Sequence, residues 1–139
     1  MCSTKRVQLA FLFLIAAAFL AGTPAYAGST WAPLRSTGIE ALASGGYCVR
    51  THWTGPYQSG DVTVRCAGLE PGATYFVTLW FVDQWGFTGG LFPLRGESLT
   101  ANTRGGGKVT IKDVELYPLS LQYIEVSNAN GDVILTDRY

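Results

Sequence analysis

The feature that most constrains the fold is a succession of short apolar runs separated by turn residues. From residue 38 onward these runs alternate or stay apolar for a few positions, and no segment keeps a helical period. Seven or eight strands are predicted in this way, at about ten-residue spacing, which is typical of antiparallel β-sandwiches and small barrels. We therefore predict an all-β antiparallel sandwich over residues 38–139, preceded by an irregular N-terminal arm over residues 28–37.

The predicted strands differ in the position that their composition favours. Residues 74–82 are apolar on both faces and should be central, whereas Pro93 limits its strand to an edge. Glycines 105–107 predict a hairpin turn, and Asn130-Gly131 predicts a type I′ hairpin. Nine segments are the candidates for these seven or eight strands: 39–43, 47–53, 61–67, 74–82, 91–94, 97–102, 108–116, 119–128 and 132–138.

The beginning of the chain has the pattern of a secretory signal peptide. Lys5 and Arg6 precede an apolar run of 14 residues at 9–22, and small residues end the pattern at Ala27. A membrane span needs about 20 apolar residues, so this run is short for an anchor, although an uncleaved anchor is the alternative. We predict that residues 1–27 are cleaved, that no stable span remains, and that the protein is secreted or periplasmic.

The charge balance excludes one class of partner. The chain has 10 basic and 10 acidic residues, and loss of the leader leaves two more acids than bases. A nucleic-acid binder needs a strongly basic face, so no nucleic-acid partner is expected. The hydrophobic content of 47% also excludes a disordered chain.

Two cysteines remain after removal of the leader, which takes Cys2 with it. An even number in an oxidising compartment predicts a Cys48–Cys66 disulfide, with free thiols or half of a metal site as alternatives. A hairpin register that pairs the two cysteines places Arg50 and His52 opposite valines. A register that pairs Val49 with Cys66 suits the apolar alternation better, but it places the two sulfurs on opposite faces of the hairpin. The disulfide therefore requires a bulge between Cys48 and Arg50.

One motif carries a family resemblance. The segment Leu69-Glu70-Pro71-Gly72-Ala73-Thr74-Tyr75 resembles the L-x-P-G-x-x-Y corner of fibronectin type III and related immunoglobulin-like sandwiches. In that family the tyrosine hydroxyl bonds back to the corner backbone. The resemblance implies that Tyr75 is a corner tyrosine, that Leu69 packs beneath it, and that Pro71 and Gly72 form the turn. About 60 residues follow Tyr75, more than that family has there, so strand order stays open; a plain turn is the alternative.

No catalytic or metal-binding pattern is present in the sequence. Structural zinc needs about four nitrogen or sulfur ligands, and this chain has a single histidine and no Cys-x-x-Cys. His52 is interpreted as a surface residue at a strand end. No nucleophile motif occurs, so we predict a protein that is not an enzyme and uses no cofactor and no metal. Five acidic residues are scattered rather than clustered: Asp83, Asp113, Glu115, Asp132 and Asp137.

Aromatic residues at turns are the most suggestive functional feature. Trp85, Phe87 and Phe92 lie in or beside a glycine-rich loop, and Trp53 and Tyr57 mark another hairpin end. Aromatic loops often form contact surfaces, although these rings could instead plug the end of the sandwich. We predict a non-catalytic binding protein that presents these rings to an extracytoplasmic protein or glycan.

Three other functions are alternatives. A carbohydrate-binding module would stack sugars on Trp53, Trp85 and Phe87. A small extracytoplasmic hydrolase would need two close carboxylates in a cleft. A subunit of a surface filament or coat would self-associate through strand edges, for which residues 133–138 are the candidate edge strand.

Overall fold

The computed structural model describes residues 30–83, 85 and 90–138, so the predicted leader and Phe87 lie outside the described residues. Residues Trp31–Tyr139 form one compact unit. No helix able to cross a membrane occurs in the described ranges. The described strands are β1 (Ala32–Ser36), β2 (Ser44–Thr54), β3 (Tyr57–Ala67), β4 (Thr74–Asp83), β5 (Leu91–Thr100), β6 (Gly107–Glu115), β7 (Leu119–Ser127) and β8 (Val133–Thr136).

All eight strands belong to one antiparallel sheet, which confirms the all-β prediction. Their order is β5-β4-β7-β8-β1-β2-β3-β6. The short strand β1 joins two halves, because Ala32 to Leu34 pair with β2 whereas Arg35 and Ser36 pair with β8. Strand β4 has a neighbour on each side, as its apolar sequence predicts.

The sheet curls until its two edge strands, β5 and β6, pack against each other. A Cβ atom on Gly96 would overlap the end of the Ile111 side chain, and one on Gly107 would overlap the end of the Leu99 side chain, so glycine at these positions leaves room for the two side chains at this seam. The concave face encloses the core. Its fully buried side chains include Val62, Val64, Tyr75, Val77, Leu79, Phe81, Ile124, Val126, Ile134 and Leu135.

The hairpin of β2 and β3 is longer and tighter than the sequence predicts. Its turn is the dipeptide Gly55-Pro56, and Gly55 has a φ of 67°. Glycine suits the first central position of such a turn because that position needs positive φ. The strands therefore pair up to the turn, and Val49 lies opposite Val62 in a register that differs from both of those considered above.

The predicted disulfide is wrong. Cys48 lies opposite Thr63 and Cys66 lies opposite Gly45, so the two side chains point to opposite faces of the sheet. The β2–β3 ladder contains no bulge that would turn one sulfur toward the other. Both cysteines are free thiols. Cys66 is buried in the concave face, and this burial raises the pKa of its thiol to about 11.

The first strand lies earlier than the sequence pattern indicates. Residues 38–42 form turns rather than the predicted strand, and β1 occupies part of the predicted arm. Leu34 explains the difference, because its buried side chain anchors β1 to the core. Thr37 then donates its backbone N–H to the Ile134 carbonyl at 3.0 Å, where β1 ends.

The predicted hairpin around glycines 105–107 is also wrong. Strands β5 and β6 lie at opposite ends of the strand order and share no ladder. The connection between them is fixed instead by Asn102, whose Oδ1 accepts the backbone N–H groups of Arg104 and Gly106. Residues 91–94 and most of 97–102 form the single strand β5, an edge strand as Pro93 predicts.

The C-terminal strand is not an edge. β8 lies between β7 and β1, so residues 133–136 offer no free ladder to a partner chain. The predicted β7–β8 hairpin is present, but its turn is not type I′, because only Gly131 in this turn has positive φ. The side chain of Asn128 shapes the turn by accepting the backbone N–H groups of Asn130 and Asp132.

Candidate functional site

Three connections meet at one end of the curled sheet. Leu91 and Leu119 pair with the last residues of β4, which places the β4–β5 and β6–β7 connections together. Ser59 pairs with Glu115, which places the β2–β3 turn beside the end of β6. We call this region the aromatic end and define it by its four exposed rings: Trp53, Tyr57, Trp85 and Tyr117.

The rings of the aromatic end are exposed to an unusual degree. The exposed fraction is 74% for Trp53, 59% for Trp85, 53% for Tyr57 and 43% for Tyr117. Trp85 and Tyr117 meet edge to face, with centroids 6.3 Å apart and an interplanar angle of 80°. The Trp85 backbone N–H donates to Asp83 Oδ1 at 2.8 Å, which holds the start of the loop.

The predicted aromatic site is only partly brought together. Phe92 is half-buried and stacks on the core residue Phe81 with centroids 6.1 Å apart, so it belongs to the packing of the sheet. Tyr57 pairs with Thr54, whereas Trp53 pairs with Gln58, so the two rings lie on opposite faces of their hairpin. Tyr117 was not among the predicted rings, although its place in the connection before Pro118 matches the criterion used for the others.

A second aromatic group lies on the convex face and has its partners within the protein. Trp80 stacks on Tyr123 with centroids 5.5 Å apart and donates its Nε1–H to Glu125 Oε2 at 2.8 Å. The Arg138 guanidinium lies over the Tyr123 ring, 5.2 Å from its centroid. These contacts fix the rings to neighbouring strands, so we assign this group to stability.

The tyrosine corner lies at the other end of the sheet, and its local geometry is confirmed. The Tyr75 hydroxyl accepts the Glu70 backbone N–H at 3.0 Å and donates to Glu40 Oε2 at 2.9 Å. Leu69 is buried beneath the corner, and Gly72 has a φ of 79°. Burial is the main cause that raises the pKa of Tyr75, with the Glu40 carboxylate adding to it. These bonds join the loop at Glu40 to the turn before β4, so we assign the corner a structural role.

A histidine and two carboxylates meet on the outer face of β2, β3 and β6. His52 Nε2 lies 3.0 Å from Asp113 Oδ1. The Asp113 backbone N–H donates to Asp61 Oδ1 at 3.1 Å. One ligand atom from each of the three residues lies within 4.8 Å of the others. Asp61 and Asp113 lie far apart in the sequence, and no local pattern predicted that they would meet beside His52.

A β-bulge explains why these residues converge. Gly60 pairs with Val114 and Val62 pairs with Ile111, so two residues of β6 face Asp61 alone. Asp113 occupies the bulge with a φ of 54°, a conformation that aspartate tolerates better than most residues. The bulge frees its N–H from the ladder and turns its side chain toward His52.

Comparison with known proteins finds no match: no family model, no curated protein and no solved structure is significantly similar to this chain. A functional conclusion therefore depends on the geometry of its own surfaces, because a fold alone does not specify an activity.

Proposed function

We propose that this chain is exported and acts outside the cytoplasm as a non-catalytic binding protein that contacts its partner through the aromatic end. The observation that carries the proposal is the exposure of four large rings in or beside three connections that meet at one end of the sheet. Burying such a ring against a partner gains about 2–3 kcal/mol, and clustered aromatic exposure is typical of interaction surfaces.

A protein partner suits this surface better than a flat glycan. The edge-to-face arrangement of Trp85 and Tyr117 gives these two rings no common plane. A sugar chain stacks on rings that lie along one plane, whereas an apolar side chain of a protein fits into the angle between two rings. The carbohydrate-binding alternative therefore depends mainly on Trp53, the most exposed of the four rings.

The surface does not favour the hydrolase alternative. Asp61 and Asp113 are close, but Asp113 is exposed on the convex side of the sheet rather than in a cleft. Among the described residues, surface grooves near residues 40–42 with 68–70 and near residues 127–131 lie at the end of the sheet that holds the Tyr75 corner, and neither is lined by Asp61 or Asp113. Ser59 faces His52 in the ladder, yet within the described residues its hydroxyl makes no hydrogen bond to the imidazole. This arrangement lacks an activated nucleophile.

We also propose that the curled sheet is a variant of the immunoglobulin-like sandwich. Two features support this: the Tyr75 corner, and the change of partner within β1 that divides the sheet into two halves. The strand order differs from the family pattern, because β2 and β3 form a hairpin within one half.

The binding proposal is tested with two matched variants. The double variant Trp53→Ala, Trp85→Ala removes the two most exposed rings of the aromatic end, and Leu42→Ala removes a side chain that is 85% exposed at the other end. Each protein is immobilised and exposed to extracellular and envelope fractions of the source cells, and to a glycan array. We expect wild type and Leu42→Ala to retain the same protein partner, and the double variant to lose it.

Two outcomes would contradict this proposal. Equal retention of partners by the double variant would show that the aromatic end is not the contact surface. Loss of the cooperative thermal transition in the double variant would show that its rings support the fold. Glycan binding that depends on Trp53 alone would favour the carbohydrate-binding alternative.

Export is tested separately, by intact mass after cell fractionation. We expect the protein in a secreted or periplasmic fraction with Gly28 at its N-terminus. A cytoplasmic protein that retains residues 1–27 would contradict the proposed location.

A further inference from the structure

We propose that His52, Asp61 and Asp113 form a binding site for a divalent transition-metal ion, with Zn²⁺ as the expected occupant. The three residues come from three adjacent strands and present one imidazole nitrogen and two carboxylates to a common point. The site is independent of the aromatic end, since none of the four exposed rings supplies a ligand.

The spacing of the donor atoms suits a metal ion. Zinc lies about 2.0–2.2 Å from nitrogen and oxygen ligands, so neighbouring ligand atoms around it are about 3.0–3.4 Å apart. His52 Nε2 and Asp113 Oδ1 are 3.0 Å apart, which matches this spacing. The Asp61 donor lies within 4.8 Å of the other two, so a bound ion requires a small movement of the carboxylates, and the Asp113 side chain is 74% exposed.

The donor set selects among metals. Magnesium and calcium prefer sites built only from oxygen, whereas an imidazole beside carboxylates suits zinc and similar transition metals. Three protein ligands leave at least one position for water or for a group from a partner.

The competing explanation is a simple hydrogen-bonded pair between His52 and Asp113. That pair gives Asp61 no role beyond accepting the Asp113 backbone N–H. It also leaves two carboxylates close together beside one imidazole, because Arg50, which lies opposite Asp61 in the ladder, forms no ion pair with either carboxylate among the described residues. A divalent cation neutralises both carboxylates at once, which the pair alone does not.

The test uses Zn²⁺ alone, added to the purified protein without a polyhistidine tag. Titration is followed by calorimetry and by the imidazole signals of His52, which are unambiguous because this chain has one histidine. We expect one equivalent of Zn²⁺ to bind and to shift these signals, and an equal concentration of Mg²⁺ to do neither. His52→Gln and Asp113→Asn should each weaken Zn²⁺ binding by at least about tenfold. Asparagine keeps the bulge because it tolerates positive φ.

Two control variants identify binding elsewhere. Glu97→Gln removes an equal charge from an exposed position on β5, and Cys48→Ser removes a thiol of the same strand as His52. Both should bind Zn²⁺ as wild type does. The proposal is overturned if His52→Gln and Asp113→Asn bind Zn²⁺ as tightly as wild type, or if binding depends on Cys48 instead. Equal shifts with Mg²⁺ would show a non-selective acidic surface and would also overturn it.

Discussion

The Tyr75 hydroxyl joins two loops that are far apart in sequence, by accepting the Glu70 N–H and donating to Glu40. Phenylalanine would keep the packing but leave the Glu70 N–H without its acceptor. We expect Tyr75→Phe to lower the free energy of unfolding by about 1–3 kcal/mol, measured by urea denaturation. The matched control is Tyr57→Phe, because Tyr57 is exposed at the aromatic end and should change stability little. Equal effects of the two changes would show that the corner hydrogen bonds contribute nothing specific.

The hydrogen bond between Tyr47 and Asp137 makes the fold less stable at alkaline pH. Burial and the 2.8 Å bond to the Asp137 carboxylate raise the pKa of Tyr47 to about 12, above its ordinary value of 10.0. The fold therefore favours the neutral phenol. Its contribution is complete below pH 10 and is lost as the pH rises from 10 toward 12.

We expect the thermal midpoint to fall across this alkaline range, and Tyr47→Phe to make the fall shallower. The slope should not vanish, because Cys66 and Tyr75 also have raised pKa values in the folded protein. Circular dichroism melting at a series of pH values provides the measurement. A profile of the same steepness in the variant would show that Tyr47 ionises equally in the folded and unfolded states.

Motifs made of neighbouring residues could be predicted from the sequence, whereas contacts between residues far apart in the sequence could not. The corner depends on seven consecutive residues, so Leu69, Gly72 and Tyr75 could be placed from sequence. The His52–Asp113 contact joins residues 61 positions apart and requires a bulge in β6. Nothing in the local sequence around Asp113 indicates that bulge, since aspartate occupies it where glycine would have been a recognisable signal.

Strand positions followed from apolar alternation, but strand pairing did not. Alternation correctly placed most of β3, β4, β6 and β7. The β2–β3 register depends on the length of the turn, and the two-residue turn at Gly55-Pro56 moved it away from both registers considered. That shift alone removes the predicted disulfide, because an error in register changes which side chains face each other.

The seam between β5 and β6 gives a test of the curled sheet. A Cβ atom on Gly96 would overlap Ile111 and lie 2.9 Å from the Val77 carbonyl oxygen. We expect Gly96→Ala to destabilise the protein by about 1–3 kcal/mol, because the backbone at this contact cannot move away easily. Urea denaturation measures the change. Gly90→Ala is the control, since a Cβ there meets nothing within 4 Å. Unchanged stability in Gly96→Ala would show that the edges do not pack this closely.

The order of the eight strands could not be derived from the sequence. It depends on which strands pack side by side, and strands that are far apart in the sequence can become neighbours. The sequence predicted three hairpins between consecutive strands, of which β2–β3 and β7–β8 are present and the one between β5 and β6 is not. The connection from β5 to β6 instead crosses from one edge of the sheet to the other. A glycine-rich loop allows either course, so its composition could not decide between them.

Strand β1 has a larger role in the molecule than its five residues suggest. Among the described strands it is the one whose backbone ladders join the β2-β3-β6 half to the β8-β7-β4-β5 half. It also places Leu34 in the core. A chain that begins at Thr37 would lose both and would expose the edges of β2 and β8, which invite pairing with other chains.

We therefore expect the chain that begins at Thr37 to lose at least about 3 kcal/mol of unfolding free energy and to self-associate, whereas a chain that begins at Trp31 should match the chain that begins at Gly28. Denaturant unfolding and size-exclusion chromatography at several concentrations measure these effects. Addition of a peptide with the sequence of residues 30–36 should restore the monomer, because it supplies the missing strand to both edges. A stable monomer without β1 would contradict this prediction. It would mean that the β5–β6 seam and the common core are sufficient to hold the two halves together.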